Sequence, residues 1–376
     1  MQGRERLVNP FKPTAGMTPP LLVGRKSVLD DFCDGLDEGP GAPGRLMRIT
    51  GPRGSGKTVL LTRLGQIAGK RGWTVVNVSG REALCASIQE QLARDERVRS
   101  LDITISLPLV SATARMGTTD RELSFRESFA NVTRSLSEHD SGLLITVDEV
   151  QDASPEDMAT IATNVQYMIR EQRNIALAFA GITTGVLNLL NGEGITFLSR
   201  AKAEELAPIP VPEVADALGH TIQASGLQIA PDALEYAASK TCGYAYLIQL
   251  VGYYVWREGR RHAKESRLIS LDDARRGSEV AIQEYGSSVL ETALAGLPRP
   301  AIEYLLAMTE DDAASSTSEV ASRMGMPATS ANTYRRLLIE RQVIESTARG
   351  FVAFSIPFMR DYLLSHREDI LARYGG

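Results

Sequence analysis

Cysteine and histidine are both scarce in this chain of 376 residues. The three cysteines are odd in number and share no metal-like spacing, and the four histidines form no ligand pattern either. This argues against a disulfide framework and against a metal site built on these residues. We expect free, mostly buried thiols in a reducing compartment.

Long hydrophobic runs are missing as well. The most apolar stretch, residues 244–256, has 13 residues, which is too short to span a bilayer and is better explained as a buried helix. The proline-rich residues 1–20 lack the continuous apolar segment of a signal peptide and predict an irregular N-terminal arm. We therefore predict a cytoplasmic protein with no membrane partner.

The chain also lacks a strong excess of either charge. Its net charge is −5, with ordinary apolar (43%) and charged (23%) fractions. This balance argues against a protein that coats nucleic acid non-specifically, although it leaves room for a local basic face. The length allows two or three domains.

Short apolar runs alternate with amphipathic stretches from residue 45 onward, which is typical of parallel strands joined by helices. The predicted strands are 45–50, 74–79, 142–147, 175–181 and 201–209. The segment 101–117 interrupts the alternation and predicts an inserted hairpin. After PIPVPE (208–213) the predicted strands stop, and helical patterns follow at 212–225, 231–242, 244–260 and 271–294.

The last part of the chain has a different order: two helices, a turn, a helix, an apolar hairpin and a final helix. This order suits a winged helix-turn-helix, with the turn at Gly325-Met326-Pro327 and the wing at 343–356. The residues predicted to reach a DNA groove and its phosphates are Ser330, Asn332, Thr333, Arg335, Arg336 and, at the wing tip, Arg349. A solvated helix face is the alternative, since the segment 296–376 is not basic overall.

The stretch GPRGSGKTVL at 51–60 follows the first predicted strand and opens into a helix. It contains G-x-x-x-x-G-K-T, whose glycines let successive N–H groups turn inward around phosphates. In this pattern the ammonium group of Lys57 provides a positive charge that binds the β- and γ-phosphates, and the Thr58 hydroxyl coordinates Mg²⁺. The predicted nucleotide-binding residues of the loop are Gly51, Pro52, Arg53, Gly54, Ser55, Gly56, Lys57, Thr58 and Val59.

Two adjacent carboxylates end the apolar run LLITVDEVQD at 143–152. Asp148 is predicted to hold the Mg²⁺ shell through water, and Glu149 to orient and deprotonate an attacking water. An acidic strand end is common by itself, but its combination with the phosphate loop predicts hydrolysis of the bound nucleotide.

The order of VGR (23–25), the phosphate loop, the Asp-Glu pair, a fourth strand, an arginine before the fifth strand and a helical lid resembles the AAA+ ATPases. The chain looks most like the prokaryotic branch akin to origin-recognition and initiator-type ATPases, which shades into signalling STAND NTPases. The resemblance implies ATP as ligand and an α/β P-loop NTPase fold. In that fold a parallel five-stranded sheet has helices on both faces and is followed by an α-helical lid and a C-terminal winged helix.

The resemblance also implies a division of the chain into four parts. The expected parts are an irregular arm at 1–20, an AAA+ nucleotide-binding domain at 21–210, an α-helical lid at 211–294 and a winged helix-turn-helix domain at 295–376.

Further roles follow from the resemblance, residue by residue. Val23, Gly24 and Arg25 match a box whose backbone lines the adenine pocket in the family, with a plain turn before a helix as the alternative. Thr183, with Thr184 as the next candidate, matches a polar sensor of the γ-phosphate. Either threonine has an alternative role as the N-cap of the following helix.

Arg200 lies where the family carries an arginine finger, which reaches into the nucleotide of a neighbouring subunit. This role requires a homo-oligomer, and a surface arginine before a strand is the alternative. The lid departs from the family: the stretch 241–256 offers Tyr244, Tyr246 and Gln249, but no cation in the place of the second sensor. A nucleotide-dependent switch is therefore at least as plausible as a fast machine.

Two functions stay open on the sequence. The first is a slow, Mg²⁺-dependent ATPase that changes state with ATP or ADP and binds duplex DNA through its winged helix. The second is a signalling or regulatory NTPase whose winged helix binds a protein partner.

Overall fold

A computed structural model describes residues 7–14, 23–101, 118–192 and 194–374. The chain forms two compact units. The first holds residues 24–51 and 56–207, and the second holds the described residues of 1–23, the short segment 52–55 and the chain from 208 onward. The predicted hairpin at 101–117 lies outside the described residues, apart from Leu101.

A parallel sheet is the centre of the first unit. Its five strands are β1 (Leu46–Thr50), β2 (Thr74–Ser79), β3 (Leu143–Asp148), β4 (Ile175–Gly181) and β5 (Lys202–Glu205). In the described residues they lie in the order β2-β3-β4-β1-β5, and every neighbouring pair is parallel. The predicted five-stranded parallel sheet is therefore confirmed.

The sequence predicts these strands well because the central ones are buried on both faces. All seven residues of β4 are buried, and so are the first five of β3. Such strands appear as continuous apolar runs with sharp ends. The edge strand β5 alternates between half-buried and exposed residues and is shorter than predicted, since it ends at Glu205 instead of residue 209.

The helices of the first unit precede and connect these strands. They are α1 (Lys26–Glu38), α2 (Lys57–Lys70), α3 (Leu84–Arg94), α4 (Glu96–Ser100), α5 (Thr118–Glu138), α6 (Pro155–Arg170) and α7 (Thr183–Leu190). Short 3₁₀ turns cover Pro43–Arg45, Val150–Asp152 and Thr196–Arg200. The apolar side chains of the sheet and of α3, α5 and α6 form one buried cluster.

The second unit is mainly helical between residues 208 and 294. Its elements there are α8 (Val211–Ala224), β6 (Gln228–Ile229), α9 (Pro231–Ser239), α10 (Ala245–Arg261), β7 (Leu268–Ile269), α11 (Leu271–Tyr285), a π-helical turn (Gly286–Leu290) and α12 (Glu291–Leu294). The prediction that strands stop after residue 208 is wrong, because β6 and β7 pair in parallel. Strands of two residues are too short to produce an alternating pattern.

The long helix predicted at 271–294 is interrupted by the π-helical turn. The hydroxyls of Ser287 and Ser288 both donate to the Glu284 carbonyl, at 3.1 and 2.7 Å. Hydrogen bonds from side-chain hydroxyls to carbonyls of the preceding turn compete with the backbone hydrogen bonds of the α-helix. They therefore favour the wider π-helical turn.

The remainder of the second unit contains helices and a small antiparallel sheet. Its elements are α13 (Arg299–Met308), β8 (Ser315–Ser316), α14 (Thr317–Arg323), α15 (Ala328–Glu340), β9 (Ile344–Ala348), β10 (Phe351–Phe354), α16 (Met359–Ser365) and α17 (Arg367–Tyr374). The strands lie in the order β8-β10-β9. The predicted hairpin is present, β8 was not predicted, and two helices stand where one final helix was expected.

The N-terminal arm packs on the second unit although its backbone is irregular. Phe11 is only 1% exposed and lies over Gly252 of α10, where a Cβ atom would be 2.4 Å from its ring. The Asn9 amide donates to the Tyr253 carbonyl (3.0 Å), and the Gln249 side chain accepts from the Lys12 amide (3.2 Å). The arm is thus part of the core of this unit.

None of the helices in the described ranges combines the length and the apolar character that crossing a membrane requires.

We expect Phe11→Ala to loosen α10, because it removes a fully buried ring and leaves a cavity over Gly252. The free energy of unfolding of the second unit should fall by about 3 kcal/mol. Hydrogen exchange across residues 245–261 measures it, and Val8→Ala is the matched control because Val8 is 61% exposed on the same arm. Unchanged protection of α10 in Phe11→Ala would show that the arm adds no stability.

Candidate functional site

The loop between β1 and α2 has the backbone shape of an anion site. Gly54 (φ +78°) and Gly56 (φ +93°) adopt left-handed conformations that favour glycine. Gly56 caps α2 without a side-chain hydrogen bond, and the first turn of the helix contains no acidic residue. The positive end of the helix is therefore available to phosphate groups.

Lys57 is the first residue of α2 and is 7% exposed. Its ammonium group donates to the Gly51 carbonyl at 2.8 Å. The side chain thus folds back across the loop that it terminates, and its charge lies inside the curve of the backbone. Arg53, at the tip of the loop, is exposed, and Val59 is half-buried in the first turn of α2.

The two predicted magnesium ligands are in direct contact. The Thr58 hydroxyl donates to Oδ2 of Asp148 at 2.5 Å, although 90 residues separate the two. The second oxygen, Oδ1, accepts from the Glu149 amide at 2.9 Å. A hydroxyl and a carboxylate oxygen side by side are the hard ligands that Mg²⁺ prefers, so the residues fit this ion.

Glu149 has a strained backbone, with φ +49° in the left-handed region. Its side chain is held by Gln151, whose amide nitrogen donates to Oε2 of Glu149 at 2.5 Å. The amide oxygen of Gln151 in turn accepts from the Ile182 N–H at 3.2 Å. Gln151 therefore ties the carboxylate to the segment that follows β4.

Sequence reasoning missed Gln151, although it stands two residues after Glu149 in the motif DEVQD. The signal was the polar side chain itself, at the end of a buried strand. Its partner is a backbone amide 31 positions away, which no local pattern reveals.

The tip of the phosphate loop, residues 52–55, belongs to the second unit by its contacts. The Gly54 carbonyl accepts a hydrogen bond from the Tyr246 amide at 3.2 Å. Tyr246 is the second residue of α10, within the stretch where the family would carry a second sensor.

The other residues of that stretch are engaged within the second unit. The Tyr244 hydroxyl donates to the Ser355 carbonyl at 2.8 Å, and Gln249 binds the N-terminal arm. Burial raises the pKa of Tyr244 to about 12. Arg257, the next cation, lies over the ring of Tyr254 at 4.3 Å.

The predicted adenine box precedes α1. Gly24 has φ +64°, and Arg25 donates to the Gly24 and Ala207 carbonyls at 3.3 and 3.1 Å. Val23 is half-buried and packs on the core of the second unit.

Thr183 and Arg200 lie at the ends of elements of the first unit. Thr183 is the first residue of α7, and the N-cap is Ile182. The alternative of a threonine N-cap is therefore wrong, because α7 begins one residue earlier than that role requires. Arg200 ends a 3₁₀ turn before β5, and it is exposed with no ion-pair partner within the described ranges.

The predicted DNA face divides into exposed and half-buried residues. On α15, Ser330, Asn332, Thr333 and Arg336 are exposed. Arg349 is exposed in the turn between β9 and β10. Arg335 differs: it is half-buried, and it donates to Asn332 Oδ1 (3.1 Å) and to the Ser346 hydroxyl (3.5 Å).

The sheet order and the loop geometry define a P-loop nucleoside triphosphatase. Residues 21–175 match the family model of the AAA ATPase domain. The predicted relation to the AAA+ ATPases is confirmed here. Residues 287–363 match a second model, described as a domain of unknown function (DUF8462). No curated protein matches the chain significantly.

Solved structures with a similar fold extend over nearly the whole chain. The Cdc6p protein of Pyrobaculum aerophilum is 19% identical, with 96% of this chain and 97% of that chain covered and a TM-score of 0.50. The ORC2 protein of Aeropyrum pernix, solved as ADPNP-ADP complexes, is 15% identical, with 97% and 98% covered and a TM-score of 0.64. A Walker-type ATPase of Pyrococcus abyssi is 15% identical, with 91% and 96% covered and a TM-score of 0.64. At these identities the likeness concerns the fold.

We expect Lys57→Ala to weaken ATP binding about 100-fold or more, because the loop loses its charge-assisted hydrogen bonds to phosphate. Calorimetric titration with ATP measures the change. Lys70→Ala, exposed at the far end of the same helix, should leave affinity unchanged. Equal affinities of the two variants would contradict the assignment of the loop.

Proposed function

We propose that the chain is a Mg²⁺-dependent ATPase of low turnover that uses bound ATP or ADP as a switch. The observation that carries this proposal is the hydrogen bond between Thr58 and Asp148. It brings the end of the phosphate loop to the acidic end of β3, which is the arrangement that a metal-bound triphosphate needs.

The phosphate-binding part of this proposal rests on the loop at 51–59. Its inward-turned amides and the start of α2 would hold the phosphates, with Lys57 at the β- and γ-positions. When Mg²⁺ is bound, Thr58 and Asp148 hold it, and the ion neutralises charge on the phosphates. Val23, Gly24 and Arg25 would line the adenine side, and Thr183 would sense the γ-phosphate.

Hydrolysis is assigned to Glu149. Its carboxylate accepts a proton from the water that attacks the γ-phosphorus, while the bond from that phosphorus to the bridging oxygen breaks. Gln151 holds one carboxylate oxygen, so the other stays directed to the water. Arg200 would neutralise negative charge on the nucleotide that a neighbouring copy binds. Its guanidinium is exposed and has no ion-pair partner in the described structure, which leaves it free for this contact.

A switch is favoured over a motor by the lid. Tyr244 and Gln249 are engaged within the second unit, and Arg257 stacks on Tyr254. The Tyr246 amide at the start of α10 donates to the Gly54 carbonyl of the phosphate loop. A neutral backbone contact changes little with the charge of the bound nucleotide, so hydrolysis would drive lid movement weakly.

Two substitutions test the hydrolytic assignment. We expect Glu149→Gln to retain ATP binding and to lower turnover about 100-fold or more, because the proton acceptor is lost. Gln151→Met should lower turnover about tenfold at unchanged affinity, because the carboxylate loses its support. Phosphate release and calorimetry measure the two quantities.

The control for these substitutions is Gln223→Met on α8, where the side chain is exposed. Turnover of Glu149→Gln at the level of the unmodified protein would mean that another group positions the water.

We further propose that residues 295–376 form a winged helix-turn-helix that binds duplex DNA, and that the chain divides at residues 20, 210 and 294. The order α13, β8, α14, α15, β9, β10 supports this, since α15 would be the recognition helix and the β9–β10 hairpin the wing.

The distribution of charge supports DNA as the partner. Four other arginines of this region are paired with carboxylates: Arg299, Arg323, Arg360 and Arg373. Arg341 and Arg367 have no acidic partner within 4.0 Å in the described residues. The same is true of Arg336 on α15 and Arg349 in the hairpin turn, the two arginines that the proposed DNA face would present. A region that is neutral overall thus presents unpaired positive charge on α15 and in the hairpin turn, as a phosphate-binding surface requires.

We expect the double substitution Arg336→Ala/Arg349→Ala to weaken binding to random duplex DNA by roughly tenfold and to reduce the salt slope by about 2, since two phosphate contacts are lost. Fluorescence anisotropy at several salt concentrations measures both values. Arg299→Ala/Arg373→Ala, which removes arginines with acidic partners, should change neither. Absence of DNA binding by the unmodified chain at low salt would contradict the DNA assignment.

A signalling or regulatory NTPase whose C-terminal region binds a protein is the second candidate. The engaged lid residues Tyr244 and Gln249 favour it, because they make the response to nucleotide a slow change of state. This candidate is favoured if the unmodified chain binds ATP but does not bind duplex DNA at low salt.

A further inference from the structure

Positive charge is concentrated at the C-terminal end of α10, far along the chain from α15 and its hairpin. Residues 257–267 end α10 and lead to β7, and within these eleven residues there are five cations and two carboxylates. The whole chain, by contrast, has a net charge of −5. The charge of this stretch is therefore opposite in sign to that of the protein.

The cations and the carboxylates around the end of α10 differ in exposure. The exposed cations, which we call the basic surface, are Arg260, Arg261, Lys264, Arg267 and, from α11, Arg276. Two neighbouring carboxylates are buried, since Glu258 is 3% exposed and Asp273 is 1% exposed. Glu265 is exposed, and the exposed Asp272 lies 3.8 Å from Arg275. The outer layer is therefore mainly positive.

The two buried carboxylates hold two of these cations in place. Glu258 forms an ion pair with Arg261, and Asp273 accepts a hydrogen bond from Nη2 of Arg276 at 2.6 Å. The side chains of Arg261 and Arg276 are nevertheless 65% and 57% exposed. Because a guanidinium has five N–H donors, each arginine keeps donors that face the solvent. The held stems also reduce the conformational entropy that is lost when an anion binds.

Two further cations lie next to the end of α8. Arg260 lies over the ring of Trp256 at 5.7 Å, and the Trp256 ring nitrogen donates to the Ser225 hydroxyl at 2.6 Å. The residue after Ser225 is Gly226, where a Cβ atom would lie 3.9 Å from Nη1 of Arg267. Arg260 and Arg267 therefore belong to one part of the surface, although six residues separate them in sequence.

The stability of the helices explains only part of this charge. Cations stabilise the C-terminal end of a helix, which accounts for Arg260 and Arg261 in the last turn of α10. Lys264 lies beyond that helix, and Arg276 lies in the second turn of α11, near its positive end. Within the described ranges, neither Arg260 nor Lys264 has an acidic partner within 4.0 Å.

A polyanion matches this charge, and the composition of the surface favours nucleic acid. Four of its five cations are arginines, whose planar guanidinium groups bind phosphate through two parallel hydrogen bonds. In the described stretch 257–276, Leu268 is the only exposed large hydrophobic residue. Protein interfaces use clustered apolar anchors, and helices that bind membrane surfaces have a broad apolar face. The basic surface has neither feature.

We propose that the basic surface binds the phosphate backbone of duplex DNA. This rests on the proposed DNA-binding function, and it adds a second contact that is separate from Arg336 and Arg349. The guanidinium groups and the Lys264 ammonium donate to phosphate oxygens. Because they contact no bases, the surface adds affinity without sequence preference.

The test compares Arg260→Gln/Lys264→Gln with a control of equal charge, Lys70→Gln/Arg94→Gln. Lys70 and Arg94 are exposed on α2 and α3 of the first unit. We expect the first variant to bind random duplex DNA roughly tenfold more weakly and to lower the salt slope by about 2, since two phosphate contacts are lost. The control should change neither value. Fluorescence anisotropy at several salt concentrations measures both.

A third variant, Arg260→Lys/Lys264→Arg, keeps the charge and should stay within about twofold of the unmodified chain. None of these substitutions removes a partner of a buried carboxylate, so the fold is retained, and a thermal melt verifies this. Equal DNA affinity of Arg260→Gln/Lys264→Gln and the control would overturn the proposal. So would an equal loss in the charge-keeping variant, because charge would then not be the cause.

Two other probes examine the alternative partners. They are poly-glutamate and vesicles that contain phosphatidylserine, measured with the same proteins. If Arg260→Gln/Lys264→Gln lost affinity for one of these probes and kept its affinity for DNA, the proposal would be wrong. The surface would then belong to an acidic protein or to a membrane.

The outcome is distinguishable from that of the winged helix. A loss in Arg260→Gln/Lys264→Gln without a loss in Arg336→Ala/Arg349→Ala would support the basic surface and contradict the assignment of α15 and the hairpin. The reverse result would overturn the basic surface and leave that assignment intact. No DNA binding by the unmodified chain at low salt would overturn both.

Discussion

The hydrogen bond from the Thr58 hydroxyl to Asp148 joins two motifs that are 90 residues apart. It exists because β1, β4 and β3 are neighbours in a parallel sheet, so the segments that follow them meet at one edge. The phosphate loop follows β1, the acidic pair ends β3, and the amide that anchors Gln151 follows β4. Every chemical step that we assign to the first unit requires this strand order, since a different order would separate the hydroxyl from the carboxylates.

Much of the first unit could be predicted because its information is local. Buried strands such as β4 are continuous apolar runs, and the phosphate loop is one uninterrupted motif. Other features depend on partners distant in sequence. The strands β6 and β7 have two residues each, and their pairing bridges some 40 positions. Gln151 was missed for the same reason, because a side chain two residues from a motif shows its function only when its backbone partner is known.

Arg335 shows how tertiary packing changes the function expected of a residue from its sequence. In sequence it is one of two adjacent arginines on a polar helix, and both were predicted to face DNA. In the structure Arg336 is exposed, whereas Arg335 is half-buried and donates to Asn332 and Ser346. A count of charges over 296–376 is equally uninformative, because it averages paired arginines such as Arg323 with unpaired ones. Position on the folded surface, rather than composition, separates these roles.

The burial of Phe11 against Gly252 has a consequence for how the chain folds. The second unit is discontinuous in sequence, since the whole first unit is inserted between its arm and its helices. During synthesis the arm emerges first, and its site on α10 appears only after more than 200 further residues. Closing so long a loop is slow unless the intervening segment is already compact. We therefore expect the first unit to fold early and so to bring the two ends of this loop together, with the Phe11 ring exposed until α10 has formed.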